Sequence, residues 1–241
     1  MNPIIFKNIT HSYSSDVVIN DISVEIEENL ITVMVGRSGG GKSTLLQIIN
    51  GLIKPISGEV FVLGKPLDYS RITEIRLNIG YAVQGTNLFP HMTVFENISI
   101  LGRISDHHSN GLKERTDSLM KLVNLNPGYL EKYPYQLSGG EQQRVGLCRA
   151  IFLNPKIFLL DEAFGALDAF TRSEIHTELL KLQKFEPRTI VMVTHDLREA
   201  LKLGDRIMIV EKGAIQQFGT RDELLNNPVN DFVREFIQTQ K

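Results

Sequence analysis

A glycine-rich stretch that ends in lysine, serine and threonine carries the clearest chemistry in the sequence. It fits the phosphate-binding pattern G-x-x-x-x-G-K-[ST] and consists of Gly36, Arg37, Ser38, Gly39, Gly40, Gly41, Lys42, Ser43 and Thr44. An apolar run at 31–35 predicts a buried strand before it, and residues 45–50 predict a helix after it. The first N–H groups of a helix have no partners within it, and the helix dipole favours an anion there. We therefore expect the stretch to bind nucleotide phosphates, with Lys42 reaching the β- and γ-phosphates and the Ser43 hydroxyl ligating Mg²⁺.

Acidic and histidine side chains follow two later apolar runs. Asp161 and Glu162 come directly after the run at 157–160, and His195 follows the run that starts at Thr189. The carboxyl ends of parallel strands carry the ligand site in such sheets. We expect Asp161 to hold Mg²⁺ through water, Glu162 to act as general base or to orient the water, and His195 to sense the γ-phosphate. Alone, the acidic pair could equally be a polar strand end, and the phosphate loop upstream favours the catalytic interpretation.

A second anion site is predicted at residues 137–142, which read Leu-Ser-Gly-Gly-Glu-Gln. Ser138 and Glu141 have the spacing of a capping box, so a helix is expected to begin here. The two glycines in its first turn leave the helix N–H groups accessible to an anion. One chain that holds one nucleotide needs only one such site, which suggests that two chains share each nucleotide.

Composition places the chain among ordinary globular proteins. Of 241 residues, 42% are hydrophobic and 22% are charged. The formal net charge of -2 gives no electrostatic support for nucleic-acid binding. The single cysteine, Cys148, lies in an apolar helical run and is expected to be buried and unreactive. We expect no signal peptide at the N-terminus and no membrane-spanning run.

The order of elements predicts an α/β core with a helical insertion. Strands are expected within 3–35 and at 59–63, 79–83, 157–160, 189–193 and 206–210. The character changes between residues 86 and 153, where an irregular loop and two or three helices are expected. The pair His107-His108 in that segment is interpreted as solvated. A last helix is expected to open at Thr220, which has capping-box spacing with Glu223.

Six motifs occur in the order that the ATP-binding cassette (ABC) ATPases show. Residues 36–44, 84, 137–142, 161–162, 166–168 and 195 resemble the Walker A motif, Q-loop, signature motif, Walker B motif, D-loop and switch histidine. The resemblance implies the P-loop NTPase fold of ABC ATPases, an α/β fold with a mixed-sheet core, an N-terminal antiparallel β subdomain and a helical subdomain. It implies one domain over 1–241, with the core and β subdomain in 1–85 and 154–241 and the signature-bearing helices in 86–153.

The resemblance also implies ATP and Mg²⁺ as cofactors and a dimer in the ATP-bound state. Tyr13 matches the aromatic residue that stacks on adenine. Gln84 matches the residue that contacts Mg²⁺ and water, beside the metal contacts expected of Ser43 and Asp161. ATP would lie between the Walker A motif of one chain and the signature motif of an identical or paired cassette. The residues implied on that second face are Ser138, Gly139, Gly140, Gln142 and, in the D-loop, Asp168.

Three positions depart from the family's usual pattern. Asn29-Leu30 replaces a glycine–acid pair, Ala163 stands in the place of a proline, and Gly165 in the place of a serine. Asparagine tolerates the left-handed conformation that the turn at residue 29 requires. None of the changes removes a catalytic group, so we expect an active ATPase that converts ATP and water to ADP and phosphate.

Stretches 78–94, 163–172 and 199–206 are most similar to the ATPases of bacterial importers for glycine betaine, carnitine or choline. The resemblance implies a peripheral subunit on the cytoplasmic face of the inner membrane. Its partners would be separate permease subunits and, indirectly, a solute-binding protein, with no nucleic acid. We expect the chain to lack the regulatory tail that many of those ATPases carry, so importers of amino acids, nitrate or sulfonate stay open.

Two rival functions and one structural alternative are weighed against this interpretation. The rivals are a soluble ABC ATPase linked to nucleic acid and a cassette that binds ATP without hydrolysis. The apolar loop at 88–93 would either receive a coupling helix of the permease or pack on its own domain.

Overall fold

The computed structural model describes residues 2–85, 87–105 and 111–240. The strands in chain order are β1 (Ile4–Tyr13), β2 (Asp16–Ile26), β3 (Ile31–Val35), β4 (Ser57–Val62), β5 (Lys65–Pro66), β6 (Ile79–Ala82), β7 (Ile157–Asp161), β8 (Thr189–Thr194), β9 (Arg206–Glu211) and β10 (Ala214–Gly219). The helices in chain order are α1 (Lys42–Ile49), α2 (Ile72–Arg76), α3 (Val94–Ile104), α4 (Leu112–Leu122), α5 (Gly139–Ala150), α6 (Ala169–Phe185), α7 (Leu197–Leu203), α8 (Arg221–Asn226) and α9 (Asp231–Gln240). The chain forms two compact units, a first unit of Met1–Arg76 with Arg188–Lys241 and a second unit of Leu77–Pro187.

An antiparallel sheet in the first unit has the strand order β2-β1-β4-β5. Ile4 lies opposite Ile26 on one neighbouring strand and opposite Val62 on the other. Apolar residues alternate with exposed ones along β2, where Ile22 and Ile26 are buried and Ser23 and Glu25 are exposed. This pattern is typical of a sheet with one face in the core.

A mixed sheet in the first unit positions the phosphate loop. Strand β3 pairs in parallel with β8 and β9, and β10 pairs antiparallel with β9. Val35 lies opposite Thr194, so both strands end at the same edge. All residues of β3 and β8 are buried, as expected for parallel strands that are covered on both faces. Parallel pairing therefore places the residues that follow β3 and β8 side by side.

The second unit combines two parallel strands with most of the longer helices. Ile79 of β6 lies opposite Ile157 of β7, and α3 packs on α4 and α5. Cys148 of α5 is fully buried, and burial raises the pKa of its thiol to about 12. The expectation that Cys148 is buried is confirmed.

The C-terminal part differs from the sequence prediction. The helix that opens at Thr220 is present, but it ends at Asn226 and is not the last one. Proline at position 228 disfavours helical conformation in the residue before it. After this break the chain forms α9, whose residues Val233, Phe236 and Ile237 are buried. The prediction therefore missed both α9 and the strand β10 before α8.

The remaining sequence predictions concern the turn at Asn29, the helical subdomain, a histidine pair and membrane-spanning helices. Asn29 has φ 60°, so the turn before β3 uses the left-handed conformation that asparagine tolerates. The division into a helical subdomain at 86–153 stays a prediction. The pair His107-His108 lies outside the described residues. Within residues 2–85, 87–105 and 111–240, we find no helix long and apolar enough to cross a membrane.

Candidate functional site

The phosphate loop in the first unit depends on close backbone contacts. A Cβ atom on Gly36 would lie 2.0 Å from the carbonyl oxygen of Val210, and one on Gly41 would lie 2.6 Å from that of Val18. Gly41 also has φ 95°, in the left-handed region, at the point where α1 begins. Only glycine meets both conditions at residue 41, so the sequence motif here reflects packing as well as ligand binding.

Lys42 is held inside this loop. Its ammonium group donates hydrogen bonds to the carbonyl oxygens of Gly36 at 2.9 Å and Arg37 at 2.7 Å, and the residue is only 6% exposed. The first turn of α1 contains no acidic residue, whereas Arg37, Ser38 and Gly39 at the tip of the loop are exposed. A buried cation beside an open helix N-terminus fits a bound phosphate chain.

His195 lies beside the start of this loop. It follows β8 directly, and the pairing of Thr194 with Val35 places it next to Gly36 at the sheet edge. Its side chain is exposed. Asp196, the next residue, accepts hydrogen bonds from the backbone N–H groups of Arg198 and Glu199 and so begins α7. The predicted phosphate sensor is thus fixed between a buried strand and a capped helix.

Tyr13, the residue predicted to stack on adenine, ends β1 and is 48% exposed. Its ring lies edge-to-face with that of His11, with the centroids 4.9 Å apart. This contact with a buried side chain restricts the orientation of the ring, and the exposed half leaves room for a planar ligand.

Asp161 in the second unit is the last residue of β7 and is 4% exposed. The Tyr81 hydroxyl donates a hydrogen bond to its carboxylate at 3.3 Å. Burial, with the charge of Asp161 adding to it, raises the pKa of Tyr81 above its usual range, so the phenol stays protonated and keeps donating. Nothing in the sequence pattern singles out Tyr81, because the contact joins residues 80 positions apart.

Glu162 adopts a conformation that is uncommon for a residue with a side chain. Its φ is 47°, in the left-handed region. Its carboxylate accepts a hydrogen bond from the Gln84 side-chain amide at 3.0 Å. Gln84 was predicted as a contact for Mg²⁺ and water, and here it is paired with the predicted general base. Such backbone outliers cluster at functional sites.

The signature motif begins α5 as the capping box predicts. The Glu141 carboxylate accepts hydrogen bonds from the Ser138 backbone N–H at 2.7 Å and from its hydroxyl at 2.8 Å. Ser138 and Gly139 are exposed, and a Cβ on Gly139 would meet no atom within 4 Å. The Gln142 side chain donates to the Leu137 carbonyl at 3.1 Å. The N-terminus of α5 is therefore capped by side chains of the same chain, and its exposed surface remains accessible to a ligand.

Asp168, the D-loop residue, caps the next helix. Its carboxylate accepts hydrogen bonds from the backbone N–H groups of Phe170 and Thr171 at 3.1 and 3.0 Å. The hydrogen bonds from Thr171 hold the pKa of Asp168 below its usual value. A structural role as the N-cap of α6 accounts for these contacts, and the residue remains exposed to other partners.

The irregular loop before α3 is organised by one buried amide. The Asn97 side chain accepts a hydrogen bond from the Phe89 N–H at 2.8 Å and donates to the carbonyl oxygens of Phe89, Met92 and Thr93 at 3.0–3.1 Å. Asn97 is fully buried, whereas Phe89 is 40% exposed and His91 is also exposed. The loop is thus fixed in shape while its apolar tip faces outward.

Fold and motifs together define a nucleotide-binding cassette of the P-loop class. A sequence profile described as ABC transporter matches residues 19–165. The chain has a TM-score of 0.85 to a dimeric post-hydrolysis state of the ATP-binding cassette MJ0796 bound to ADP and Pi, with 33% identity over 90% of this chain and 98% of that one. The chain belongs to the ABC transporter family and has the α/β fold of its ATPase cassettes.

Similar proteins with known roles are ATP-binding subunits of transport systems. The glycine betaine/carnitine/choline transport ATP-binding protein OpuCA of Bacillus subtilis is 45% identical over 92% of this chain. The glycine betaine uptake system ATP-binding protein YehX of Escherichia coli is 39% identical over 96% of this chain and 75% of its own length. The chain spans only 59% of the length of OpuCA.

Proposed function

We propose that this chain is the ATP-hydrolysing subunit of an importer for quaternary-amine osmoprotectants. The observation that carries the ATPase part is the phosphate loop, in which buried Lys42 lies at the open N-terminus of α1. The solute is proposed from the names of OpuCA and YehX, which are 45% and 39% identical to this chain. An importer of amino acids, nitrate or sulfonate is the alternative, and the uptake measurements described below distinguish it from an importer of quaternary amines.

The first unit contributes the groups that bind the nucleotide. Lys42 and the loop N–H groups bind the β- and γ-phosphates, the Ser43 hydroxyl ligates Mg²⁺, and Tyr13 stacks on adenine. His195 senses the γ-phosphate and orients the attacking water. When bound, Mg²⁺ neutralises charge that develops on the phosphates.

The second unit contributes the groups that act on water and metal. Glu162 is the general base, and Gln84, hydrogen-bonded to it at 3.0 Å, holds it in place and contacts Mg²⁺ and water. Asp161 holds Mg²⁺ through water while Tyr81 fixes its carboxylate. Mg²⁺ would be held by Ser43, Gln84 and Asp161 together with phosphate oxygens of the nucleotide.

Two chains are proposed to share each nucleotide. The open end of α5, with Ser138, Gly139, Gly140 and Gln142, would meet the γ-phosphate bound by the partner, and Asp168 would lie at the same junction. Binding of ATP would close the dimer, because each γ-phosphate then has partners in both chains. Most of the rate would come from positioning and charge stabilisation.

The membrane partners are proposed to be transmembrane permease subunits, to which this chain would bind peripherally at the cytoplasmic face of the inner membrane. The loop that Asn97 fixes presents exposed Phe89 and His91, and we propose it as the surface that receives a coupling helix. A solute-binding protein would deliver the substrate to the permease from the other side.

Capture of partners tests this function. The Glu162→Gln chain, purified from detergent-solubilised native membranes with ATP, should bring down a polytopic permease and a solute-binding protein. The same chain with Lys42→Ala, which loses ATP binding, is the control. Ribosomal or DNA-repair components without a permease would overturn the transport assignment.

Uptake measurements test the solute. In cells that lack the chromosomal copy, the wild-type chain should restore uptake of radiolabelled glycine betaine or choline, and Glu162→Gln should not. Restored uptake of an amino acid, nitrate or a sulfonate in place of these amines would support the importer function and show that the proposed substrate is wrong.

A further inference from the structure

One buried glutamine on α5 has no role among the six motifs and yet contacts the segment that follows β7. Gln143 is 5% exposed, and both ends of its side-chain amide are used. Its oxygen accepts a hydrogen bond from the Ala166 backbone N–H at 3.1 Å. Its nitrogen donates to the Glu162 carbonyl oxygen, the longer of the two bonds at 3.5 Å. The amide therefore spans the segment from the proposed base to the D-loop.

The backbone that Gln143 contacts is in a strained conformation. Glu162 has φ 47°, in the left-handed region that a residue with a side chain adopts only where surrounding contacts impose it. The Glu162 carbonyl also accepts a hydrogen bond from the Gly165 N–H at 3.1 Å. Because φ and ψ at residue 162 set the direction of its side chain, contacts to this backbone determine where the carboxylate points.

The same segment packs on the first turn of α5. A Cβ on Gly140 would lie 3.4 Å from the Leu167 side chain and 3.7 Å from the Ala166 carbonyl oxygen, which is ordinary van der Waals contact. Gln143 lies one turn further along the helix. The signature end of α5 and residues 162–167 thus contact each other at two successive turns.

We infer that Gln143 is a positioning residue that ties the direction of the Glu162 carboxylate to the position of helix α5. This rests on the proposed function, in which Glu162 is the base and the N-terminus of α5 meets the partner's nucleotide. A shift of α5 when that nucleotide binds would move the Gln143 amide and with it the backbone at Glu162. The base would then be aligned only in the closed dimer, which would restrict hydrolysis to that state.

The test compares variants of the full chain in steady-state ATP hydrolysis. Gln143→Met keeps the size of the side chain and removes both hydrogen bonds; Gln143→Glu keeps the acceptor for Ala166 and, when ionised, replaces the donor to Glu162 with a second acceptor oxygen. We expect Gln143→Met to lower kcat by roughly 10- to 100-fold, since small misplacements of a reacting group have effects of this size. We expect KM for ATP to change by less than about twofold, because Gln143 is not proposed to touch the nucleotide.

A matched control separates positioning from loss of stability. Gln217 in β10 is also buried, donates to the Asn227 carbonyl at 3.0 Å and accepts from the Val229 N–H at 3.1 Å. Gln217→Met should lower the melting temperature much as Gln143→Met does, while kcat stays near wild type. Equal loss of kcat in both variants, or wild-type kcat in Gln143→Glu and Gln143→Met, overturns the inference.

Combination with Glu162→Gln distinguishes this inference from the proposed function. In that background Gln143→Met should cause no further loss of turnover, because residues that act through one group are not additive. If Glu162→Gln alone turns over normally, the assignment of the base is wrong. If Glu162→Gln is inactive while Gln143→Met turns over normally, only the role of Gln143 is wrong.

Discussion

At the scale of single residues, the site contains a strained backbone at Glu162 that neighbouring hydrogen bonds hold in place. Glu162 is left-handed, and hydrogen bonds at its carboxylate and its carbonyl oxygen come from Gln84, Gly165 and Gln143. A protein under selection for stability alone would place glycine or asparagine at such a position. The glutamate is therefore best explained by its chemistry, at a cost in the free energy of folding.

Replacement of Glu162 should reveal this cost. Glu162→Gly and Glu162→Ala both remove the carboxylate, but only glycine relieves the left-handed strain. We expect Glu162→Gly to be more stable than Glu162→Ala by about 1 kcal/mol, after allowance for the larger backbone entropy of glycine. Urea unfolding measures the difference, and both variants should lack turnover. A more stable alanine variant would mean that residue 162 is not strained in solution.

At the scale of elements, local signals in the sequence predicted the start of several helices. The spacing Ser-x-x-Glu or Thr-x-x-Glu marks the capping boxes at Ser138 and Thr220, and both are present. The same box forms at Thr93, before α3. In each, the glutamate accepts hydrogen bonds from the N-cap residue, which lowers the pKa of the carboxyl below its usual value.

These lowered pKa values predict a loss of stability in acid. A carboxyl whose pKa is lower in the folded state contributes stability above its unfolded value, near 4.5, and loses it as the pH falls through the folded value. The free energy of unfolding should therefore decrease as the pH falls below 4.5. Glu223→Gln, outside the proposed nucleotide site, should make this decrease less steep in denaturant titrations, and Glu96→Gln should do the same. An unchanged slope in both variants would show that the capping carboxylates do not drive it.

Contacts between distant segments could not be predicted in this way. The phosphate loop and its flanking strand and helix follow from a contiguous motif, and the sequence identified all three. Gln143, Tyr81 and Asn97 act through contacts that only the fold creates, and a buried amide in a helix looks the same in sequence as an exposed one. Helix α9 was missed although Val233, Phe236 and Ile237 have helical spacing, because the sequence prediction made the helix that opens at Thr220 the last one.

At the scale of the whole molecule, the proposed site is complete only in a dimer. With ATP, Glu162→Gln should elute as a dimer in size-exclusion chromatography, because the nucleotide is held and not hydrolysed. Adding Ser138→Arg should keep the chain monomeric while ATP still binds, since the phosphate loop is intact while the N-terminus of α5 loses its serine cap and is blocked by the larger side chain. Adding Lys42→Ala should abolish both ATP binding and the dimer. If the Ser138→Arg chain still formed a dimer, the dimer interface would not include the N-terminus of α5.

The single cysteine determines how this protein can be labelled to measure its conformational changes. Cys148 is fully buried, and its thiol has a pKa of about 12, so almost none of it is thiolate at neutral pH. Maleimide and nitroxide labelling reagents, which are attacked by thiolates, should leave the wild-type chain unmodified. A cysteine introduced on the surface would then be the only reactive thiol, and spin or fluorescent labels could report opening and closing with the native residue kept.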